Sequence, residues 1–203
     1  MFNISSTGIA LLAAGASTRM GRPKQLLRFQ GRSLLQHGLD IAIATPFRPI
    51  AVVLGANAEL IETEIEAGQT LVVHNKDWQS GMGSSVATGL QALLQSEPGL
   101  EAAFFILVDQ PYLDALRLLE MARQLEMAPE MFGAVSKYGD SLGVPALFRR
   151  ILFPELLALK GQAGAKPLIR KYRNNLLPVP FPQGQFDLDT PEDWQAFLKR
   201  EEE

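Results

Sequence analysis

The sequence has no cysteine and only two histidines, His37 and His74, among its 203 residues. The lack of cysteine excludes disulfide scaffolds, thiol nucleophiles, iron–sulfur clusters and zinc sites built on thiolates. Two histidines so far apart in the chain argue against a metal site built on imidazole rings. Any metal ion that binds here is therefore expected to have carboxylate ligands.

Long apolar runs are missing as well. The longest purely apolar run covers the seven residues 102–108, whereas a membrane-spanning helix needs about 20. Residues 1–7 contain no basic residue of the kind that opens a secretion signal. Together with the lack of cysteine, this predicts a cytoplasmic protein with no membrane partner.

The chain also lacks a strong charge of one sign. It has 19 Lys and Arg against 22 Asp and Glu, a net charge of -3, which argues against a nucleic-acid partner. A composition of 47% hydrophobic and 20% charged residues suits a folded domain, which at this length buries roughly 70% of its unfolded surface. Since no linker or repeat divides the chain, we expect one domain over residues 1–203.

Short apolar runs that end in turn residues alternate with amphipathic stretches, a pattern typical of α/β proteins. Strands are predicted at 8–14, 50–54, 70–74, 102–108, 131–135 and 142–148. Helices are predicted at 34–44, 58–66, 84–94, 113–126, 153–159, 163–172 and 191–199, with Asn57 and Ser84 as N-caps of the second and third. Pro178, Pro180 and Pro182 predict a rigid stretch without regular structure.

A segment of small residues and cations follows the first predicted strand. Residues 12–24 read L-A-A-G-A-S-T-R-M-G-R-P-K, and residues 16–33 contain five Arg or Lys and no acid. Open α/β sheets bind ligands at the carboxyl ends of their strands, so these cations lie where a ligand is expected. Small residues let backbone N–H groups approach phosphate, and Arg19 and Lys24 are placed to neutralise phosphoryl charge. An anionic ligand is predicted.

Two common phosphate-binding motifs do not match. A P-loop requires G-x-x-x-x-G-K-[ST], but the spacing from Gly15 to Gly21 is one residue too long and the final pair is missing. The dinucleotide motif G-x-G-x-x-G is not completed at residues 81–86, G-M-G-S-S-V, which follow no predicted strand directly.

Residues 12–24 match in full the signature L-A-x-G-x-S-x-R-M-G-x-x-K of the MobA-like nucleotidyltransferases, which this sequence resembles. Three later segments are similar to further motifs of that family: 75–90 (N-K-D-W-Q-S-G-M-G-S-S-V-A-T-G-L), 108–111 (V-D-Q-P) and 187–193 (D-L-D-T-P-E-D). The resemblance covers nearly the whole chain and is strongest to the molybdenum cofactor cytidylyltransferase (MocA-like) branch.

The resemblance implies a Rossmann-like three-layer α/β sandwich with a mostly parallel sheet similar to that of nucleotide-diphospho-sugar transferases. It also implies transfer of an NMP from an NTP to a phosphorylated acceptor, with release of pyrophosphate and with Arg19, Lys24 and Asp109 as catalytic residues. The residues expected to bind the nucleotide are Leu12, Ala13, Ala14, Gly15, Ser17, Gly21, Lys24, Gly81, Ser84, Ser85 and Gly89.

Some of these residues also have a simpler interpretation. The resemblance implies that Ser85 and the backbone near Ala13 and Ala14 read the edges of the base. Taken without it, Ser84 and Ser85 are equally well explained as helix-capping residues.

Carboxylates at strand ends predict a magnesium site. Asp109 directly follows the strand predicted at 102–108, so it is expected at the same sheet edge as Arg19 and Lys24. Mg²⁺ prefers one or two carboxylates with phosphate oxygens and water, and Asp187 or Asp189 can supply the second. Because an N-cap role for the last predicted helix explains Asp189 by itself, Asp187 is favoured. The expected cofactor is Mg²⁺, with Mn²⁺ as the alternative.

The acceptor is inferred from the resemblance alone. Ala13-Ala14 before Gly15 resembles the cytidylyl branch, which implies CTP rather than GTP, molybdopterin as the acceptor, and a molybdoenzyme or cofactor chaperone as protein partner. Val144, however, stands where many members of that branch have His, and residues 161–166 match its acceptor-side loop only loosely.

Two other functions stay open. The chain could be a nucleotidyltransferase acting on a sugar or polyol phosphate, or a non-catalytic protein that binds a nucleotide or cofactor. The joint presence of Arg19, Lys24 and Asp109 argues against the second, since binding alone needs no metal carboxylate.

Overall fold

Nine strands and seven helices make up the part of the chain that the computed structural model describes, residues 6–201. The strands are β1 (Thr7–Ala13), β2 (Arg28–Phe29), β3 (Arg32–Ser33), β4 (Ile50–Leu54), β5 (Leu71–His74), β6 (Ala102–Leu107), β7 (Gly133–Tyr138), β8 (Ser141–Arg149) and β9 (Leu176–Pro180). The helices are α1 (Leu34–Ile43), α2 (Ala58–Glu62), α3 (Met82–Ser96), α4 (Ala115–Glu126), α5 (Phe153–Leu157), α6 (Lys166–Lys171) and α7 (Pro191–Glu201). The expectation that the chain has no secretion signal is based on residues 1–7. Of these, residues 1–5 lie outside the described part.

Seven strands form one sheet in the order β5-β4-β1-β6-β8-β7-β9, and β2 with β3 forms a separate small hairpin. The pairings of β1 with β4 and β6, of β4 with β5, and of β7 with β9 are parallel. Within the described seven-stranded sheet, only β8 runs antiparallel to the strands beside it, β6 and β7. The predicted fold, a mostly parallel α/β sandwich, is confirmed.

Both faces of the sheet are buried, which explains why the strands read as continuous apolar runs. In β1, Ile9 and Leu11 join the core on the face covered by α1, α4 and α7, while Ala10 and Leu12 join the core under α3, α5 and α6. Every residue of β1 and β4 is buried. No helix within residues 6–201 has the length and hydropathy that a bilayer span requires.

The chain order places a crevice at the carboxyl ends of β1 and β6. After β1 the chain moves outward to β4 and β5, and it then returns to pair β6 with the other side of β1. Such a switch point is where open α/β sheets leave a cleft, because the loops after the two strands diverge. The loop after β1 and Asp109 after β6 therefore flank the same opening.

The predicted elements differ from the observed ones most clearly at three places. Helix α2 ends at Glu62 rather than at residue 66. Helix α3 starts at Met82 with Gly81 as its N-cap, so the prediction that Ser84 caps it is wrong. Asn57 does occupy the N-cap position of α2, but its side chain makes no capping hydrogen bond.

The third difference is strand β9, which the prolines concealed. Pro178 and Pro180 lie in β9, at the edge of the sheet beside β7. Proline lacks the N–H that a central strand must donate, but at a sheet edge one side of the strand needs no partner. The rigid stretch predicted here is thus in part an edge strand.

Candidate functional site

One buried side chain holds the loop that follows β1. Gln25 is 1% exposed, and its Nε2 donates to the carbonyl oxygens of Ala13 and Gly15 at 2.7 and 2.8 Å. Its Oε1 accepts a hydrogen bond from Ser17 Oγ at 3.2 Å, and the same Oγ accepts from the Lys24 N–H at 3.1 Å. Gln25 therefore ties the loop to the end of β1. Sequence reasoning missed it, although its place next to Lys24, as a polar residue before two leucines, was a usable signal.

Lys24 lies between two carboxylates. Its Nζ is 2.5 Å from Asp109 Oδ2 and 3.0 Å from Asp189 Oδ1. The side chains of Lys24 and Asp109 are only 13% and 14% exposed, so water screens this ion pair weakly. Burial lowers the pKa of Lys24, but the attraction of Asp109 and Asp189 outweighs it and the pKa is raised above its usual value. Lys24 is therefore a fixed positive charge.

Asp189 reaches the site because its segment is anchored next to β6. The Leu188 N–H donates to the Asp109 carbonyl at 3.1 Å, and the Leu188 side chain is fully buried. On the outer side, Arg19 Nη2 contacts Asp189 Oδ2 at 2.7 Å, with the Arg19 side chain 69% exposed. Burial raises the pKa of Asp189, but Lys24 and Arg19 more than compensate and lower it. Asp189 is therefore a carboxylate anion.

Thr190, rather than Asp189, caps helix α7. The Asp193 N–H donates to Thr190 Oγ1 at 3.2 Å, while Asp193 Oδ2 accepts from the Thr190 N–H at 2.8 Å. This exchange is a capping box with Asp in the position usually held by Glu or Gln. The predicted capping role of Asp189 is wrong, and its carboxylate serves the contacts with Lys24 and Arg19 instead.

Asp187 is a third carboxylate that interacts electrostatically with Lys24, Asp109 and Asp189. Desolvation and the negative charges of Asp109 and Asp189 raise the pKa of Asp187 to about 6, against the opposing effect of Lys24 and Lys166. Mutual repulsion among three carboxylates is what a bound cation would relieve.

The donor set fits a divalent metal ion. Asp109 Oδ1 is buried and has no hydrogen-bond partner among the residues described, and such an oxygen is costly unless something binds it. Within residues 6–201, no three acidic or histidine side chains lie close enough to enclose a metal ion by themselves. A metal ion at Asp109 would thus also need phosphate oxygens and water as ligands, as Mg²⁺ commonly does.

A cavity of about 280 Å³ opens at the ends of β1 and β6, and we call it the first cavity. Eight of the predicted residues line it: Leu12, Ala13, Ala14, Gly15, Lys24, Gly81, Ser85 and Asp109. Trp78, Gln79, Met82 and Gln162 also line it, although they were not predicted to bind. The structure therefore brings the loop after β1, the start of α3 and Asp109 around one opening.

Other predicted residues lie beside the first cavity without lining it. Ser17 bonds within its own loop, and Gly21 ends a short 3₁₀ turn with a φ of 71°. Gly89 packs α3 against the sheet, since a Cβ there would lie 2.9 Å from Ala10 Cβ and 3.0 Å from Val53 Cγ2. Their predicted contact with a nucleotide stays a prediction.

Asn75 positions the two serines at the start of α3. It is 4% exposed, and its Nδ2 donates to Ser84 Oγ at 2.8 Å and to Ser85 Oγ at 3.0 Å. Ser84 Oγ also lies 2.8 Å from the Gly81 carbonyl oxygen and faces away from the first cavity. Only Ser85 lines the cavity, so the two adjacent serines have different roles.

Two glycines let residues 160–162 pack onto the start of α3. A Cβ on Gly81 would lie 2.5 Å from the Gly161 carbonyl, and one on Gly83 would lie 2.8 Å from the Lys160 backbone. The Gly83 N–H donates to the Gly161 oxygen at 3.0 Å. This close approach is what places Gln162 at the first cavity.

A second cavity, of about 390 Å³, lies between the β7–β8 hairpin and α6. Lys166, Arg170, Arg173 and Asp187 are among its lining residues, and Tyr138 closes one side. Burial and the charge of Asp187 raise the pKa of Tyr138. Asp187 interacts electrostatically with Asp109 and Lys24, which line the first cavity. The charges of the two cavities are therefore coupled.

The sequence matches the profile of the MobA-like NTP transferase domain over residues 9–176. A relative from Paenarthrobacter nicotinovorans, named nicotine blue oxidoreductase, is 34% identical over 171 residues, which cover 81% of each chain.

Solved structures give a similar result. The crystal structure of the Mycobacterium tuberculosis Rv0371c homologue from Mycobacterium sp. strain JC1 superposes with a TM-score of 0.83 at 29% identity, over 97% of this chain and 96% of that one. The Rv0371c complex with manganese from Mycobacterium tuberculosis H37Rv gives a TM-score of 0.74 at 28% identity, over 95% and 97% of the two chains.

Proposed function

The chain belongs to the MobA-like NTP transferase family and is an enzyme of the nucleotidyltransferase type, and from this premise we propose that it transfers an NMP from an NTP to a phosphorylated acceptor. An oxygen of the acceptor phosphate attacks the α-phosphorus, the bond from that phosphorus to the bridging oxygen breaks, and pyrophosphate leaves with the electron pair. The observation that carries this proposal is the Lys24 ammonium, held between Asp109 and Asp189 at the first cavity.

Lys24 is suited to neutralise the triphosphate. Its charge is fixed, and the loop that carries it is anchored by Gln25, so little reorganisation is needed as charge develops. Arg19 is exposed and pairs only with Asp189 among the described residues, which leaves it free to turn toward the outer phosphates. Since a phosphate monoester is largely dianionic at pH 7, the acceptor needs no general base, and alignment with charge neutralisation suffices.

Asp109, together with Asp187 or Asp189, would hold a divalent metal ion, Mg²⁺ or Mn²⁺. The unpartnered Asp109 Oδ1 and the repulsion at Asp187 support this assignment, and the related Rv0371c was crystallised with manganese. When bound, such an ion supplies positive charge to the α-phosphate and the acceptor phosphate. Asp109 would hold this ion from the first cavity and Asp187 from the second.

For the substrates, we propose CTP over GTP and molybdopterin as the acceptor, with a molybdoenzyme or cofactor chaperone as partner. The support is the Ala13-Ala14 pair at the floor of the first cavity and the cationic second cavity. A sugar or polyol phosphate is the alternative acceptor, since the cations of the second cavity suit a phosphate whatever group carries it.

A pyrophosphate-release screen tests the proposal. The protein is incubated with each NTP, with Mg²⁺ or Mn²⁺, and with molybdopterin or a panel of sugar and polyol phosphates. Pyrophosphate released only when NTP, metal ion and acceptor are all present is the expected result. NTP binding without release under every condition would support the non-catalytic alternative instead.

A further inference from the structure

The second cavity has an uneven charge distribution. Lys166, Arg170 and Arg173 contribute three positive charges, and Asp140 and Asp187 contribute two carboxylates. Across the described chain, no carboxylate lies within 4.0 Å of any of the three cations, whereas the adjacent Lys171 pairs with Glu155 at 2.7 Å. Within the described chain, the three cations of the cavity therefore lack a close ion pair of the kind that Lys171 makes.

The three cations form a row rather than a cluster. Lys166 and Arg170 are four residues apart, at the start and near the end of α6, and so share one helix face. Arg173 begins the 3₁₀ turn that follows. From the rise of these helices, the Cα atoms of Lys166 and Arg173 lie about 10 Å apart, so the cations are spread along the cavity.

The row also has a direction. Its Lys166 end interacts electrostatically with Asp187, which in turn interacts with Asp109 and Lys24 of the first cavity. The Arg170 and Arg173 end lies further along α6 and the turn after it. A phosphate that reacts next to Asp109 and Asp187 therefore lies at the Lys166 end of the row, while Arg170 and Arg173 offer further positive charge beyond it.

We propose that the acceptor carries two separated anionic groups: a phosphate monoester that reacts at the Lys166 end, and a second anionic group held by Arg170 and Arg173. This inference rests on the proposed function and deepens it, because it restricts the acceptor class. Arginine suits the second group, since its planar fork donates paired hydrogen bonds to a carboxylate or phosphate.

Binding of two simple probes tests the inference. The probes are hexyl phosphate, with one anionic group, and hexane-1,6-diol bisphosphate, with one at each end of a chain of similar length. Isothermal titration is carried out on the protein with Mg²⁺. We expect the bisphosphate to bind at least about tenfold more tightly, because it makes additional charge-assisted hydrogen bonds. Equal affinity for the two probes would overturn the inference.

Variants locate the two ends of the row. In the double variant Arg170→Gln/Arg173→Gln the advantage of the bisphosphate should fall below about threefold, while Lys166→Gln should weaken both probes. The matched control is Arg123→Gln, which removes an exposed arginine of α4 that lines neither cavity, and it should leave both affinities unchanged. A double variant that keeps the full advantage would overturn the inference.

The two proposals can fail separately. If the bisphosphate is preferred and the double variant removes that preference, but no NTP yields pyrophosphate with any acceptor, the transfer reaction is wrong and the second cavity is still a two-anion site. If pyrophosphate is released with acceptors that carry one phosphate and no second charge, at the same kcat/KM as with two-anion acceptors, the transfer reaction stands and the two-anion site is wrong.

Discussion

The two cavities are built in different ways. The first is formed largely by backbone and small or buried side chains at the ends of β1 and β6, with Gln25 fixing its loop. The second is lined by long, exposed cations on α6 and the turn after it, with a tyrosine at the end of β7. Buried backbone features are hard to change without disturbing the sheet, whereas exposed side chains change at little cost to stability. The first cavity is thus suited to bind the NTP, which the proposed reaction uses with any acceptor. The second is suited to select the acceptor.

The strongest test of this contrast is Asp109→Asn, because Asp109 lines the first cavity and interacts electrostatically with Asp187 of the second. The change removes one of the two charge partners of Lys24 and a ligand of the proposed metal ion. We expect pyrophosphate release to fall by a factor of about 10³ or more, beyond the effect of losing a single positioned donor. Measurement of kcat with saturating NTP, metal ion and acceptor checks this. Near-normal turnover would remove Asp109 from the site, and circular dichroism serves as the control for folding.

Lys24→Met should act chiefly on the NTP, because Lys24 lines the first cavity. The variant keeps the apolar stem and loses the ammonium, so transition-state stabilisation should drop by about 2 to 4 kcal/mol. The measurement is kcat/KM for the NTP in the pyrophosphate assay. Arg22→Met, in the same loop, is the matched control, because Arg22 is exposed and its loss should change kcat/KM by less than about threefold. Similar losses in both variants would indicate that general positive charge, rather than the position of Lys24, matters.

Much of the first cavity could be predicted from the sequence, because two of its main segments directly follow predicted strands. The loop up to Lys24 follows β1 and Asp109 follows β6, so the order of predicted strands alone places them at one sheet edge. Gln25 and Asn75 could not be found this way, since their roles depend on hydrogen bonds to carbonyl and hydroxyl groups that only the folded chain brings within reach.

The second cavity is harder to predict, because its residues come from a hairpin, a short helix and Asp187, which no strand-end pattern in the sequence links. Strand β9, which pairs with β7, was obscured by its prolines, and the sequence contains no signal that Tyr138, Arg170 and Asp187 share one opening. The role of Asp189 was also misassigned, since Asp and Thr are both good N-caps and only the hydrogen bonds of Thr190 with Asp193 decide between them.

Gln25→Met tests whether the first cavity depends on a rigid loop. The substitution preserves volume but leaves the carbonyl oxygens of Ala13 and Gly15 without their side-chain donor. We expect the free energy of unfolding to fall by about 2 to 3 kcal/mol, the scale of leaving buried polar groups unpaired, and KM for the NTP to rise while KM for the acceptor does not. Urea denaturation and steady-state kinetics provide the two measurements. An equal rise in both KM values would mean that the loop also shapes the second cavity.

Gly143→Ala, the variant with the smallest expected effect, tests whether the second cavity can change without affecting the first. A Cβ at Gly143 would lie 1.8 Å from the hydroxyl oxygen of Tyr138 and 2.9 Å from Cζ, so Gly143→Ala must displace the ring that lines this cavity. Overpacking of this kind costs about 1 to 2 kcal/mol, and it should appear as a higher KM for the acceptor with an unchanged KM for the NTP.

Tyr138→Phe removes the clashing oxygen, so the double variant Tyr138→Phe/Gly143→Ala should recover most of the lost affinity. If the double variant is no better than Gly143→Ala, displacement of the tyrosine is not the cause. A parallel rise in the NTP KM would show that the two cavities are mechanically coupled through β8 rather than separately adjustable.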